Sequence, residues 1–290
     1  MPPRKTKAQP KKTEIQMRKM YLEKMERFQL TKEWQDCMDA VWRRNGKAKI
    51  IDWRKEGILP PVQKHTRPVC VSTSVCSCVS AHYFMRIGGS APAILSLESI
   101  ARGVFDERAV KARMDVIKKD REDVLVGKMH PDCDISVVDA LRYACRFGLP
   151  LEEDWPFGQP APVRSLDKLH KFMVHDYREL EGADEVSIKH MLKQFPLLCE
   201  AYFSDAVHEY KADTIYTRED NRRRRKIELH AMVLVGWGCD VEGKEYYIVM
   251  SNWGREWGDE GYGYLEKELI DAVYYPMILP LKTMPPPIDL

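Results

Sequence analysis

The stretch from His230 to Tyr262 constrains this chain more than any other. It contains two apolar runs, Ala231–Val235 and Tyr246–Met250, with a polar, glycine-containing connection, Cys239–Glu245, between them. Short apolar runs bounded by turn residues predict a β-hairpin with buried strands. The first strand follows His230. The second runs out into Ser251-Asn252-Trp253-Gly254 and then Trp257-Gly258-Asp259-Glu260-Gly261-Tyr262. Polar groups gathered at strand ends beside aromatic, glycine-rich loops indicate a site as well as packing. A histidine standing alone would read as a buried edge residue; this one is accompanied.

Length and composition set wide bounds. A chain of 290 residues suffices for one large domain or two lobes on a shared core. With 44% hydrophobic and 31% charged residues it reads as an ordinary globular protein, and its net charge of +2 gives no nucleic-acid signal. Basicity is local, in Arg4–Lys12 and Arg222–Lys226, and reads as solvated loops or an import signal. No apolar run reaches the length of a membrane span. The first twelve residues, M-P-P-R-K-T-K-A-Q-P-K-K, lack an apolar signal core. A cytoplasmic or nuclear protein is therefore expected, and a vesicular or secreted one only if the sequence is truncated. Eight cysteines then read as free thiols in a reducing compartment. No Cys/His spacing suggests zinc, so neither metal nor cofactor is expected.

Residues 1–13 are basic and Pro-rich. The segment from about Glu14 to Arg44 has helix-like amphipathic spacing, so residues 1–48 are read as a tail plus a helical arm. From Cys70 to Ile87 there is no Gly or Pro, small and apolar residues dominate, and Gly88-Gly89 close the run. This predicts a buried helix with Pro68 just ahead of it and a glycine stop. Val137–Phe147 and Val186–Gln194 predict helices, and Pro196–Phe203 a buried strand. Residues 101–130 are densely charged and read as a surface helical insertion, and Arg218–Lys226 as a charged loop.

The strings His230-Ala231 through Gly236, then Ser251-Asn252-Trp253-Gly254 and Trp257-Gly258-x-x-Gly261-Tyr262, resemble the C-terminal half of papain-family cysteine peptidases. Further likeness lies in Asp52-Trp53-Arg54, in the Cys70 helix, in Leu95–Ile100 and in Cys133–Ser136, so the resemblance spans about residues 50 to 276. It implies an α+β, papain-like two-lobe fold. A helical lobe at about 60–155 would carry the central helix starting at Cys70. A β-barrel-like lobe at about 156–276 would face it across a cleft, within a domain of residues 49–276 and ahead of a Pro-rich tail at 277–290.

The resemblance implies a thiol peptidase acting on peptide or protein substrates. Three cysteines, Cys70, Cys76 and Cys78, compete for the nucleophile. Unpaired N–H groups and the positive end of the helix dipole favour a thiolate in the first turn, which selects Cys70. Cys76 and Cys78 read as small core residues. His230 is the expected base, and a Cys70–His230 ion pair is the implied arrangement. The two lie 160 residues apart, farther than in the family, and the charged insertion accounts for most of the excess.

Several positions depart from the family pattern. Aligned on Trp253, Ser251 takes the position of the residue that orients the imidazole, and Asn252 follows it. Side chains alternate along an extended chain, so Ser251 or, with a register slip, Asn252 would orient His230. Gln63 lies seven residues ahead of Cys70. Gln63 or His65, with the Cys70 amide, would hold the oxyanion. Ile135 and Ser136 replace a glycine pair in the substrate wall, while Ala231 and Trp253 keep their family character in the substrate site. Two readings follow: a cysteine-type endopeptidase, or a catalytically impaired papain-fold protein that binds peptides or proteins.

Overall fold

The computed structural model describes residues 51–65, 68–104, 135–162, 168–180, 185–222, 226–240 and 243–278. The N-terminal arm, most of the 101–130 insertion, Cys133-Asp134 and the C-terminal tail lie outside the described residues. The described elements run β1 (Ile51–Asp52), α1 (Cys70–Ile87), α2 (Val137–Phe147), β2 (Asp176–Glu179), α3 (Glu185–Leu192), β3 (Leu197–Ser204), α4 (Arg218–Arg222), β4 (Ile227–Cys239), β5 (Glu245–Met250), β6 (Tyr262–Leu265) and β7 (Ile270–Met277). A helical segment at 97–104 stands between α1 and α2. The sheet runs β2-β7-β3-β4-β5-β6 with every neighbour antiparallel, and β1 pairs with β4. The fold is α+β, of the papain-like type. Among the described residues, no helix is long and apolar enough to cross a membrane.

Helix α1 has no apolar stripe. Ser72 through Tyr83 are buried without interruption, and most of them are small, so the helix can lie close against its neighbours. Its hydroxyls find backbone acceptors: Thr73 Oγ1 donates to Val69 O at 2.9 Å and Ser74 Oγ to Ala231 O at 3.0 Å. Buried polar groups are tolerable on these terms. The helix ends at Gly88, which takes φ 79°, a conformation that favours glycine.

Strand β4 carries the hairpin expected from the sequence and extends it. It begins at Ile227 because β3 pairs with it through to Ser204↔Ile227, so His230 lies inside the strand, opposite Ala201, rather than ahead of it. A Cβ on Gly236 would stand 2.2 Å from the carbonyl oxygen of Ile51, so glycine is what lets β1 lie on β4. Trp53 follows β1 into the core, 1% exposed, and its indole N–H donates to Leu192 O at 2.8 Å. The charged stretch after Thr217 is not wholly loop. Its first residues form α4, started by Thr217, whose N–H and hydroxyl both donate to Asp220 Oδ2 at 2.7 and 2.9 Å.

Candidate active site

Helix α1 delivers Cys70 at its first position. The N-cap, Val69, supplies no side-chain bond, so the first-turn N–H groups stay available. The thiol lies near the N–H groups of Val71, Ala231 and Cys70 itself, which favour the thiolate. Burial outweighs them and pushes the thiol above its usual range, and the charge of Glu200 pushes the same way. Cys76 and Cys78 are sealed inside, with thiols raised well above the usual value by burial. Cys78 Sγ and His82 Nε2 both donate to Pro196 O, at 3.7 and 2.8 Å.

His230 Nε2 lies 3.1 Å from Asn252 Oδ1. An amide oxygen only accepts, so Nε2 carries the proton and Nδ1 keeps a lone pair. The Trp253 ring stacks on the imidazole at 4.3 Å and 19°, and Phe203 meets it edge-on at 6.3 Å. Burial lowers the His230 pKa to about 4. The Asn252 bond and Glu228 work against that shift, and His208 adds to it. Burial thus works against the charge on each partner of the Cys70–His230 pair. Among the described residues no hydrogen bond joins Cys70 Sγ to His230, a spacing common before substrate arrives.

The orienting contact is made by Asn252. Strand β5 ends at Met250, so the alternation that would set Asn252 against the wrong face stops before it matters. The chain bends at Asn252 and Trp253 bridges to Lys64, with His65 N–H donating to Asn252 O at 3.3 Å. Ser251 does not reach the imidazole. Its hydroxyl donates to Gly261 O at 3.0 Å and its Oγ accepts from Trp253 N at 3.4 Å. The expected Ser251 role is corrected accordingly: it buttresses the loop that presents Asn252.

The remaining predicted residues divide. His65, Pro68, Cys70, His230, Asn252 and Trp253 line one cavity of about 380 Å³. Gln63 reaches it through His65, whose Nε2 lies 2.8 Å from Gln63 Oε1. Ala231 is buried just behind, its N–H at the Cys70 thiol. Ile135 and Ser136 are not on this cavity. Ser136 is the N-cap of α2, accepting from Asp139 N at 3.1 Å and donating to Asp139 Oδ2 at 2.7 Å. Its hydroxyl is committed to the helix end. The sequence reading missed Phe203, Asp205, His208 and Glu228, which complete much of the wall. His208 meets Trp253 edge-on at 5.1 Å, and no local pattern announces it. Among the described residues no group of His, Cys, Asp and Glu could hold a metal ion.

Comparison with known proteins finds likeness to cysteine proteases. The family description "Papain family cysteine protease" matches residues 122–273. A cysteine proteinase of Theileria parva is 33% identical over 131 residues, 44% of this chain and 28% of that protein. The probable cysteine protease RD21C of Arabidopsis thaliana is 25% identical over 235 residues, 77% of this chain and 44% of that protein. The chain thus spans less than half the length of either relative. The structure of the bromelain protease from Ananas comosus with the E64 inhibitor superposes with a TM-score of 0.61 at 16% identity, over 80% of this chain and 99% of that one. That likeness concerns the fold.

Proposed function

The chain belongs to the papain family of cysteine proteases, and from that premise we propose that it is a cysteine-type endopeptidase that cleaves peptide bonds through Cys70 and His230. The observation that carries this reading is the placement of both residues on one cavity, with Asn252 holding the imidazole. The Cys70 thiol attacks the scissile carbonyl carbon while its proton passes to the free lone pair on His230 Nδ1. As the imidazole gains charge, Asn252 Oδ1 keeps the Nε2–H aligned, and stacked Trp253 excludes water from that bond. The Cys70 amide, with Gln63 or His65, donates to the developing oxyanion. His230 then returns its proton to the departing amine, leaving a thioester. Water, deprotonated by His230, hydrolyses the thioester and restores the thiol.

The sequence departures also suggested an impaired peptide-binding protein. The Asn252 contact removes the main ground for that reading, because the orienting group is present in space although displaced by one residue in sequence. The test is turnover of a fluorogenic peptide library by the full chain and its Cys70→Ala and Ser251→Asn variants. Wild type should cleave, Cys70→Ala should not, and Ser251→Asn should bring no gain. A large gain in Ser251→Asn would show that Asn252 does not serve as orienter. Turnover surviving in Cys70→Ala would end the reading.

A further inference from the structure

The indole of Trp253 is shared. His230 stacks on it with ring centroids 4.3 Å apart, and His208 meets it edge-on at 5.1 Å. Two imidazoles on one ring lie closer to each other than the roughly 10 Å over which 0.1 M salt screens exposed charges. His208 belongs to the short 3₁₀ turn Asp205–Glu209 that follows β3. The turn is anchored by its middle residue. Val207 is buried, and its carbonyl accepts the indole N–H of Trp257 at 2.7 Å. Trp257 packs against Trp253 in turn, at 4.8 Å and 62°. A fixed piece of backbone thus carries the His208 ring to the cavity.

Among the described residues the His208 ring makes no hydrogen bond or ion pair, only its contact with Trp253. It is exposed on the cavity, so it exchanges protons with solvent. The other titratable groups on that cavity are His65 ahead of α1, Cys70 on α1, Asp205 on the same turn, and Glu228 and His230 on β4. Glu209 lies on the far side of the turn, on a separate cavity. Lys64 and Glu256, beside the Trp253 loop, offset each other at 3.4 Å. Burial is the largest influence on His230; of the nearby charges, Glu228 favours its protonation and His208 opposes it. The indole sharpens that opposition. Its negative face stabilises a stacked imidazolium, and a second cation against the same ring competes for that face and repels the first.

Resting on His230 as the base, we propose that His208 is a positioning residue for the reaction: its proton, carried against Trp253, keeps a second proton off His230. With His208 charged, His230 stays neutral, able to accept the Cys70 proton, further into acid than burial alone would allow. His208 acts through the shared indole rather than on the reacting atoms.

NMR titration of the His230 ring in the full chain carrying Cys70→Ala reads this without turnover. Its midpoint is compared with His208 present, with His208→Phe, which keeps a ring against Trp253 without charge, and with His208→Arg, which keeps a charge there. His208→Phe should raise the midpoint by about half a pH unit, as one charge at this range in a partly wet site gives. His208→Arg should leave it within about 0.2 of a pH unit. In the chain with Cys70 restored, His208→Phe should move the acid limb of kcat/KM up by the same amount. Melting curves confirm that each variant is folded; if His208→Phe is not, His208→Gln replaces it with the same expected rise. An unmoved or lowered midpoint in the uncharged variant would overturn the proposal. So would an equal rise in His208→Arg, the mark of lost packing rather than lost charge. Peptide hydrolysis with an unmoved midpoint leaves the peptidase reading standing without this one. A wild type that hydrolyses no peptide, with a midpoint that moves, overturns the peptidase reading and leaves the coupling of the two histidines standing.

Discussion

Helix α1 contributes a cysteine to each of two thiol–imidazole pairs made of the same residue types. Cys78 and His82 share one helix face and donate to a single acceptor, Pro196 O. Cys70 and His230 come from different elements and line one cavity. In both pairs burial raises the thiol and lowers the imidazole to about 4. The electrostatic environment alone does not separate them. What separates them is what each polar atom meets: a backbone carbonyl inside the core, or open space, with the second imidazole nitrogen held by Asn252. A perturbed pKa marks a reactive group only when access and a partner accompany it.

The two pairs should differ most at their thiols. Cys70→Ala should reduce turnover by about 10⁴-fold or more, as loss of a nucleophile does. Cys78→Ala should leave kcat within about 2-fold and lower stability by about 1 kcal/mol through its cavity. Steady-state kinetics with parallel melting curves would show a reversed hierarchy at once. The partners come next. Asn252→Ala should lower kcat by about 10²-fold, at the low end of what aligned acid–base catalysis contributes. Ser251→Ala should leave kcat within about 3-fold and lower the melting temperature, since its hydroxyl ties down the loop at Gly261 O. The same kinetic and melting measurements check both.

The two histidines sharpen the contrast with pH. His230 must be neutral to accept the thiol proton, so kcat/KM should fall on the acid side at about 4 rather than at the ordinary 6.5. A pH–rate profile with its acid limb near 6.5 would contradict this environment. His82 titrates into stability instead. Its folded pKa of about 4 lies below the ordinary 6.5. Between those values the unfolded chain takes up a proton that the folded chain refuses. Stability from this residue is whole above about 6.5, declines as pH falls, and is flat below about 4. His82→Leu should flatten that decline by up to about 3 kcal/mol and leave kcat unchanged, as read from denaturant midpoints across the range.

Much of the frame was legible. The run without Gly or Pro from Cys70, closed by Gly88-Gly89, marked α1 with both ends right, because helix stops are local chemistry. The hairpin was legible for the same reason, although β4 starts earlier than its apolar run, since cross-strand pairing with β3 carries the charged residues before His230 into the sheet. The site was legible in its cysteine and its histidine but not in its orienter. Ser251 and Asn252 were sorted by strand alternation, and the strand ends at Met250, a fact set by the β5–β6 pairing rather than by local sequence. Ser136 offered a missed cue: a serine three residues before Asp139, ahead of apolar residues, is a helix start, and it was read as a substrate wall. His208 offered none, because only the fold brings it beside Trp253.

On the proposed mechanism Cys70, alone among the cysteines of α1, is a nucleophile served by His230. This assignment is tested most directly by intact-mass and peptide-mapping analysis of the full chain after exposure to a peptidyl vinyl-sulfone. One adduct is expected, on the Cys70 peptide, absent in Cys70→Ala and slowed at least about 10-fold in His230→Ala. Labelling of Cys76 or Cys78 in the folded chain, or equal labelling of wild type and Cys70→Ala, would contradict it.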